Sequence, residues 1–154
     1  MKTIYFATDH AGFELKNKLS SYVKELGYTI NDVGAHEYNA DDDYPDYVNL
    51  ASESVSHDID ESMAIVLGGS GTGEAIVANK HAGIRACVYY GGDLDIVKLA
   101  RRHNNANILS LGARFLTDEQ AKEAVKIFLE TEFSGEERHI RRVNKIDTLN
   151  FQNL

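Results

Sequence analysis

The chain has 154 residues, of which 43% are hydrophobic and 26% are charged, a composition typical of one soluble globular domain over residues 1–154. Its net charge of −8 at pH 7 disfavours nucleic acid as a partner, because a phosphate backbone is bound by a basic surface. With no apolar run long enough to cross a membrane, no secretory signal and one cysteine, Cys87, we expect a cytoplasmic protein.

Strand and helix patterns alternate along the chain. The predicted strands are short apolar runs at Lys2–Thr8, Tyr28–Val33, Met63–Leu67, Ile84–Tyr90 and Asn107–Leu111. The predicted helices cover about Phe13–Leu26, Asp46–His57, Glu74–Lys80, Asp93–His103, Thr117–Glu130 and Glu136–Leu149. This alternation predicts an α/β protein with a three-layer, doubly wound, Rossmann-like fold and a five-stranded parallel sheet.

The carboxyl ends of the strands are the expected place for a ligand. In doubly wound folds, ligands bind there, close to the point where the strand order reverses. The segments after the first and third predicted strands are Asp9-His10 and the glycine-rich run Gly68–Glu74. If these two strands flank the reversal, the two segments are neighbours, and we expect the functional site between them.

The run Gly68-Gly-Ser-Gly-Thr-Gly-Glu74 has four glycines in its first six residues and joins a buried strand to a helix. Glycines let a ligand approach the backbone, and successive N–H groups at the start of a helix can bind an anion. The run lacks the G-x-G-x-x-G spacing of dinucleotide sites and the Gly-Lys-Ser/Thr ending of a P-loop. As a ligand of this run, a small oxyanion is therefore favoured over a nucleotide. The alternative interpretation is a tight turn between strand and helix that requires glycines but binds nothing.

Glu74 lies in the first turn of the following predicted helix, where two interpretations are open. A carboxylate there commonly lies at the surface and complements the helix dipole. Alternatively, it is a catalytic base, because aldose–ketose isomerisation needs one group that carries a proton between C1 and C2 and donors that stabilise the enediolate oxygens. The spacing of residues does not decide between the two.

Two histidines lie at predicted junctions of strands and helices. His10 follows Asp9 after the first strand, and His103 precedes the fifth strand. Each could be a solvated or capping residue, but their place at the ligand-binding edge favours a functional role. A zinc site of Asp9, His10 and His103 is conceivable, yet no H-x-x-x-H or C-x-x-C spacing supports it, and we expect no metal.

The densest positive patch of the chain is Arg138-His-Ile-Arg-Arg142. Arg138 and Arg142 are four residues apart, so a helix places both guanidinium groups on one face, where they could bind a phosphate. The alternative is a solvated helix surface in which they pair with Glu136 and Glu137. Arg114, just after the fifth predicted strand, is a third candidate for phosphate binding.

Together these motifs resemble ribose-5-phosphate isomerase type B, in the family that also holds the galactose-6-phosphate isomerase subunits. The resemblance covers Lys2 to about Ile146 and rests on Asp9–Lys16, Asp41–Pro45, Gly68–Glu74, Ala78–Lys80, Gly83–Arg85, His103-Asn104, Gly112–Arg114 and Arg138–Arg142. It implies interconversion of ribose 5-phosphate and ribulose 5-phosphate through an enediol, without metal or cofactor. It also implies a homodimer or homotetramer with shared sites, in which a C-terminal helix and tail, about 136–154, packs on a neighbouring subunit.

The resemblance also assigns roles to individual residues. It implies that the catalytic residues are Glu74, His103 and Ser70, with His103 helping to open the sugar ring. The glycine-rich run would form an anion hole, and the C-terminal arginines would bind the phosphate. The implied substrate-binding residues are Asp9, His10, Gly69, Ser70, Gly71, Thr72, Gly73, Asn104, Arg114, Arg138 and Arg142.

One position departs from the pattern of many family members, which carry a catalytic cysteine where this chain has Gly68. Other members resemble this chain, with a glycine there and a glutamate six residues later as the base, and Glu74 fits that branch. Two alternative functions stay open. One is isomerisation of a hexose 6-phosphate, of the galactose-6-phosphate or allose-6-phosphate type, and the other is non-catalytic sensing of a sugar phosphate.

Overall fold

The structure is a computed structural model, which describes residues 2–149. Its strands are β1 (Thr3–Thr8), β2 (Thr29–Asp32), β3 (Ser62–Gly68), β4 (Ala86–Tyr89) and β5 (Ile108–Gly112). Its α-helices are α1 (Phe13–Glu25), α2 (Tyr44–His57), α3 (Thr72–Ala78), α4 (Asp95–Asn104), α5 (Asp118–Glu130) and α6 (Glu137–Asp147), and a short 3₁₀ turn at His10–Gly12 precedes α1. No described helix is long and apolar enough to span a membrane.

The five strands form one parallel sheet in the order β2-β1-β3-β5-β4. The chain moves outward from β1 to β2 and then crosses to β3 on the other side of β1, so the strand order reverses between β1 and β3. This arrangement confirms the predicted doubly wound sheet. It also makes the segments after β1 and β3 neighbours, as the sequence predicts.

Apolar layers cover both faces of the sheet. On one face, α1, α4 and α5 contribute side chains that pack on β1, β3 and β5, among them Leu19, Val97 and Phe128. On the other face, α2 and α3 pack Val48, Val55 and Ala78 against the same central strands. All residues of β3 are buried, which explains its continuous apolar sequence.

Some element boundaries differ from the prediction for identifiable reasons. Helix α2 begins at Tyr44, not at Asp46. Pro45 fits the first helical turn, because a backbone N–H there would have no hydrogen-bond partner within the helix and proline does not need one. Strand β4 begins after Arg85, because the Arg85 N–H is bound by the side chain of Asn107 and the Ile84 N–H by the carbonyl of His81. The predicted C-terminal segment is helical over Glu137–Asp147, and its residues 150–154 lie outside the described part.

Candidate active site

A cleft of about 530 Å³ opens at the edge of the sheet where the strand order reverses. Its walls come from the segments after β1, β3 and β5 and from the start of α2. They are formed by Asp9, His10, Ala11, Tyr44, Gly69, Ser70, Gly73, Glu74, Arg114 and Phe115. The cleft thus collects many of the predicted site residues, together with Ala11, Tyr44 and Phe115, for which the sequence predicted no role.

Asp9 and His10 occupy the turn after β1. Asp9 is buried, and its Oδ1 caps the 3₁₀ turn by accepting a hydrogen bond from the N–H of Ala11 at 3.0 Å. His10 is partly buried, and its Nδ1 lies 2.7 Å from Oδ1 of Asp42. The sequence includes Asp42 only as part of the motif Asp41–Pro45 and predicts no role for it, because nothing in a run of three aspartates tells which one is buried.

Glu74 is buried, with 3% of its surface exposed, although it stands in the first turn of α3. Burial raises the pKa of its carboxyl group, and the negative charge of Asp9 adds to this increase, while a backbone hydrogen bond acts in the opposite direction. The interpretation of Glu74 as a surface carboxylate is therefore wrong. A buried carboxyl group that lines a cleft and has a raised pKa is typical of a general acid or base.

The space for this carboxyl group exists because residue 68 is a glycine. A Cβ atom on Gly68 would lie 1.7 Å from Oε1 of Glu74 and 2.1 Å from its Cδ, far inside van der Waals contact. A side chain at position 68 and the Glu74 carboxyl group in its present place therefore exclude each other. This geometry gives a physical reason for the pairing of Gly68 with Glu74.

The glycine-rich run makes a tight connection between β3 and α3. Gly71 precedes α3 with a φ of 79°, a conformation that disfavours any side chain, and its carbonyl accepts a 2.6 Å hydrogen bond from the hydroxyl of Ser110. Gly69, Ser70 and Gly73 line the cleft. The other two predicted residues of the run, Gly71 and Thr72, are not part of the lining: Gly71 is buried and Thr72 is exposed.

Arg114 brings a positive charge to the glycine-rich run. The backbone N–H groups of Ala113 and Arg114 donate hydrogen bonds to the carbonyls of Gly68 and Gly69, at 2.8 and 3.1 Å. These bonds extend the pairing of β3 and β5 beyond the sheet and place the Arg114 guanidinium against Gly69. An anionic group bound at the run would lie next to this cation.

The other predicted residues, His103, Asn104, Arg138 and Arg142, do not line this cleft. His103, near the end of α4, stacks on His139 of α6 with ring centroids 4.3 Å apart. Burial lowers the pKa of His139, and the adjacent His103 lowers it further. The exposed Arg138 pairs through its Nε with Oε2 of Glu136 at 3.0 Å. Within one chain, the predicted residues therefore form two groups.

Two acidic side chains and one partly buried histidine near β1 also bear on metal binding. Asp9, His10 and Asp42 offer ligand atoms that lie within 4.8 Å of one another, whereas His103 belongs to the other group. However, Nδ1 of His10 faces a carboxylate oxygen at hydrogen-bond distance, so this nitrogen carries a proton and presents no lone pair. The geometry is that of a hydrogen-bonded pair.

Cys87, the single cysteine, lies in β4 away from the cleft. Burial raises the pKa of its thiol to about 12. A thiol with such a pKa is protonated at neutral pH and is a poor nucleophile. These observations favour a structural role for Cys87 over a catalytic one.

Comparison with known proteins matches the sequence and the fold of this chain to one group. The model of a protein family described as Ribose/Galactose Isomerase matches residues 4–146. A ribose-5-phosphate isomerase B of Mycolicibacterium paratuberculosis is 41% identical over 141 residues, covering 92% of this chain and 87% of that protein. The crystal structure of ribose-5-phosphate isomerase B from Mycoplasma genitalium with bound ribulose 5-phosphate superposes with a TM-score of 0.90 at 36% identity, covering 94% of this chain and 93% of the other. The ribose 5-phosphate isomerase of Thermotoga maritima gives a TM-score of 0.86 at 41% identity, covering 95% of this chain and 97% of the other.

Proposed function

This chain belongs to the ribose/galactose isomerase family, and on that premise we propose that it interconverts ribose 5-phosphate and ribulose 5-phosphate. The observation that carries the proposal is the buried carboxyl group of Glu74, which lines a cleft beside a glycine-rich run. A non-catalytic sensor would need the cation and the anion-binding backbone, but it would have no use for a buried, desolvated base. We also propose that the reaction needs no cofactor and takes place in the cytoplasm.

The proposed reaction moves one proton between neighbouring carbons. In the open-chain aldose, the Glu74 carboxylate removes the proton from C2, and the electrons of the C2–H bond form the C1=C2 double bond while O1 becomes an enediolate oxygen. The backbone N–H groups of Gly69, Ser70 and Gly73, the residues of the run that line the cleft, stabilise that negative charge. The hydroxyl proton on O2 is then transferred to O1, the C2=O bond forms, and Glu74 returns its proton to C1, which gives the ketose. The raised pKa of Glu74 makes its carboxylate a stronger base for this step.

The division of the predicted residues into two groups supports a site that is shared between subunits. We propose a homodimer or a dimer of dimers in which His103, Asn104, Arg138 and Arg142 complete the cleft of a neighbouring subunit. Two observations support this arrangement: these residues do not line their own cleft, and both arginines lie exposed on α6. The segment from about residue 136 would then cross to the neighbour. His103 would assist ring opening there, and Arg138 and Arg142 would bind the phosphate alongside Arg114.

A substrate comparison tests the proposed activity. We expect the highest kcat/KM with ribose 5-phosphate, a lower value with allose 6-phosphate or galactose 6-phosphate, and almost none with ribose, which has no phosphate for the arginines to bind. A chelator present throughout should leave all rates unchanged, because no step uses a metal. A higher kcat/KM for a hexose 6-phosphate would assign the chain to the other substrate class, and loss of activity on chelation would contradict the metal-free mechanism.

Mixing two inactive variants tests the shared site. A heterodimer of Glu74→Gln and His103→Ala subunits contains one site with both native residues, so random subunit exchange should restore about a quarter of the wild-type activity. A mixture of Glu74→Gln with Arg114→Ala is the matched control, because both residues belong to the same chain's cleft and no intact site can form. Absence of recovery in the first mixture, or full activity of a monomer in gel filtration, would contradict the shared site.

A further inference from the structure

Asp42 is a buried acid that the proposed mechanism does not yet use. It is the middle residue of the acidic loop Asp41-Asp-Asp43 before α2, and its side chain is 5% exposed, whereas both flanking aspartates are exposed. Its Oδ1 accepts two hydrogen bonds from the same residue: one from the backbone N–H of His10 at 2.9 Å and one from the ring Nδ1 at 2.7 Å. The loop is thus tied to the turn after β1 through one oxygen atom.

These two bonds determine where the proton of the imidazole lies. A carboxylate oxygen only accepts hydrogen bonds, so Nδ1 of His10 must carry a proton in this contact. In the neutral ring, Nε2 is then the unprotonated nitrogen and an acceptor. Tyr38 lies edge-on to the same ring, with centroids 6.3 Å apart. Because His10 lines the cleft, the group that it can offer to a ligand is the Nε2 lone pair.

The surroundings of the second carboxylate oxygen of Asp42, Oδ2, provide a separate observation. Oδ2 is buried and makes no hydrogen bond of ordinary geometry among residues 2–149. The Tyr47 hydroxyl lies near this carboxylate, and burial together with the negative charge of Asp42 raises the pKa of Tyr47. An asparagine could make the same two bonds through its amide oxygen without burying a charge. An amide can also turn its NH₂ group towards Nδ1, however, whereas a carboxylate presents an acceptor in either orientation. The buried carboxylate is therefore suited to fixing the tautomer of His10.

We propose that Asp42 is a positioning residue for the isomerase reaction, which keeps the proton of His10 on Nδ1 and presents the Nε2 lone pair to a hydroxyl group of the bound sugar phosphate. The inference rests on the proposed function for the identity of the ligand. The hydrogen-bond geometry itself does not depend on it. Asp42 acts through His10 and does not line the cleft.

The tautomer can be measured directly by NMR on protein labelled with ¹⁵N-histidine at mildly alkaline pH, with the His10 signals assigned through a His10→Asn variant. In the wild type we expect a protonated Nδ1 and an unprotonated Nε2. Asp42→Ala should shift His10 towards the Nε2–H form, because the acceptor is gone. Asp42→Asn should keep most of the Nδ1–H form, because the backbone N–H of His10 favours the amide oxygen at the Oδ1 position. An Nε2–H tautomer in the wild type would overturn the proposal even if Asp42→Ala failed to fold.

Kinetics give the functional readout. We expect Asp42→Ala to lower kcat/KM by about 10- to 100-fold, the usual effect of removing a carboxylate that orients a functional histidine, with Asp42→Asn in between. Asp41→Ala, which removes the exposed neighbouring charge from the same loop, should match the wild type. Equal kcat/KM for Asp42→Ala and Asp41→Ala would overturn the positioning role. If the wild type isomerises no sugar phosphate, the proposed function is refuted. The proposed position of the proton on His10 is still tested in that case, because NMR measures the tautomer without substrate.

Discussion

Replacing Glu74 with glutamine is expected to lower kcat by about 10²- to 10⁴-fold, because the amide fills the same space but cannot accept the C2 proton. KM for ribose 5-phosphate should change little, since the side chain keeps its volume and the cation Arg114 stays in place. Steady-state kinetics of the purified variant measure both quantities. Glu53→Gln, an exposed glutamate on α2, is the matched control and should behave as the wild type. A Glu74→Gln enzyme with most of its activity would remove Glu74 from the mechanism.

The same variant should gain stability at neutral pH. In the folded wild type, the pKa of Glu74 lies above that of an ordinary glutamate, so the unfolded state favours the ionised form more strongly. The free energy of unfolding of the wild type therefore falls as pH rises from the ordinary glutamate pKa through the raised one. Glutamine does not titrate, and Glu74→Gln should unfold at higher denaturant concentration than the wild type at neutral pH, with the difference shrinking in acid. A variant less stable than the wild type at neutral pH would contradict a desolvated Glu74.

The second substitution with a large expected effect on kcat is Gly68→Ala, which should lower it by about 10²-fold or more. Its Cβ atom would lie 1.7 Å from Oε1 of Glu74, so the carboxyl group has to move, and a displacement of about 1 Å at a reacting group commonly has a cost of this size. The backbone at Gly68 has no positive φ, so the clash alone is responsible. Kinetics of the purified variant provide the measurement, and near-normal kcat would contradict the geometry.

A double-mutant cycle isolates this clash from other effects of an added methyl group. In the wild-type background, Gly68→Ala should lower the free energy of unfolding by about 1–3 kcal/mol through overpacking. In a Glu74→Ala background, the carboxyl group is absent and the same substitution should have almost no effect, which gives a coupling energy of similar size. Additive effects on denaturant unfolding in the two backgrounds would show that the two positions do not compete for space.

The fold was predictable because its signals are local. A strand buried on both faces, such as β3, reads as a continuous apolar run, and Gly27 marks the end of the first helix in the sequence. The strand order follows less directly, but parallel connections allow few arrangements, and β1 beside β3 is one of them. The strand boundary that differs from the prediction depends on a contact between distant segments, in which the side chain of Asn107 accepts a hydrogen bond from the backbone N–H of Arg85. A local sequence pattern does not predict such a contact.

The site was predictable only where it follows strand ends. Asp9, His10 and the glycine-rich run lie together because β1 and β3 are adjacent. Whether Glu74 is buried depends on the room left by Gly68, a contact between two residues that periodicity cannot evaluate. A role for Asp42 was not predictable because the motif Asp41–Pro45 holds three consecutive aspartates, and only the path of the loop over the turn after β1 buries the middle one. The separation of His103 from the cleft is likewise a property of the folded chain.

The central claim is that Glu74 carries a proton between C1 and C2 through an enediol. The most direct measurement is isomerisation of ribose 5-phosphate in D₂O with a chelator present, followed by NMR of the sugars at equilibrium. Because a proton on a carboxyl group exchanges with solvent, the account predicts that ribulose 5-phosphate forms and carries deuterium at C1, while the remaining ribose 5-phosphate carries it at C2. Formation of ribulose 5-phosphate without deuterium, or no conversion at all, would contradict it.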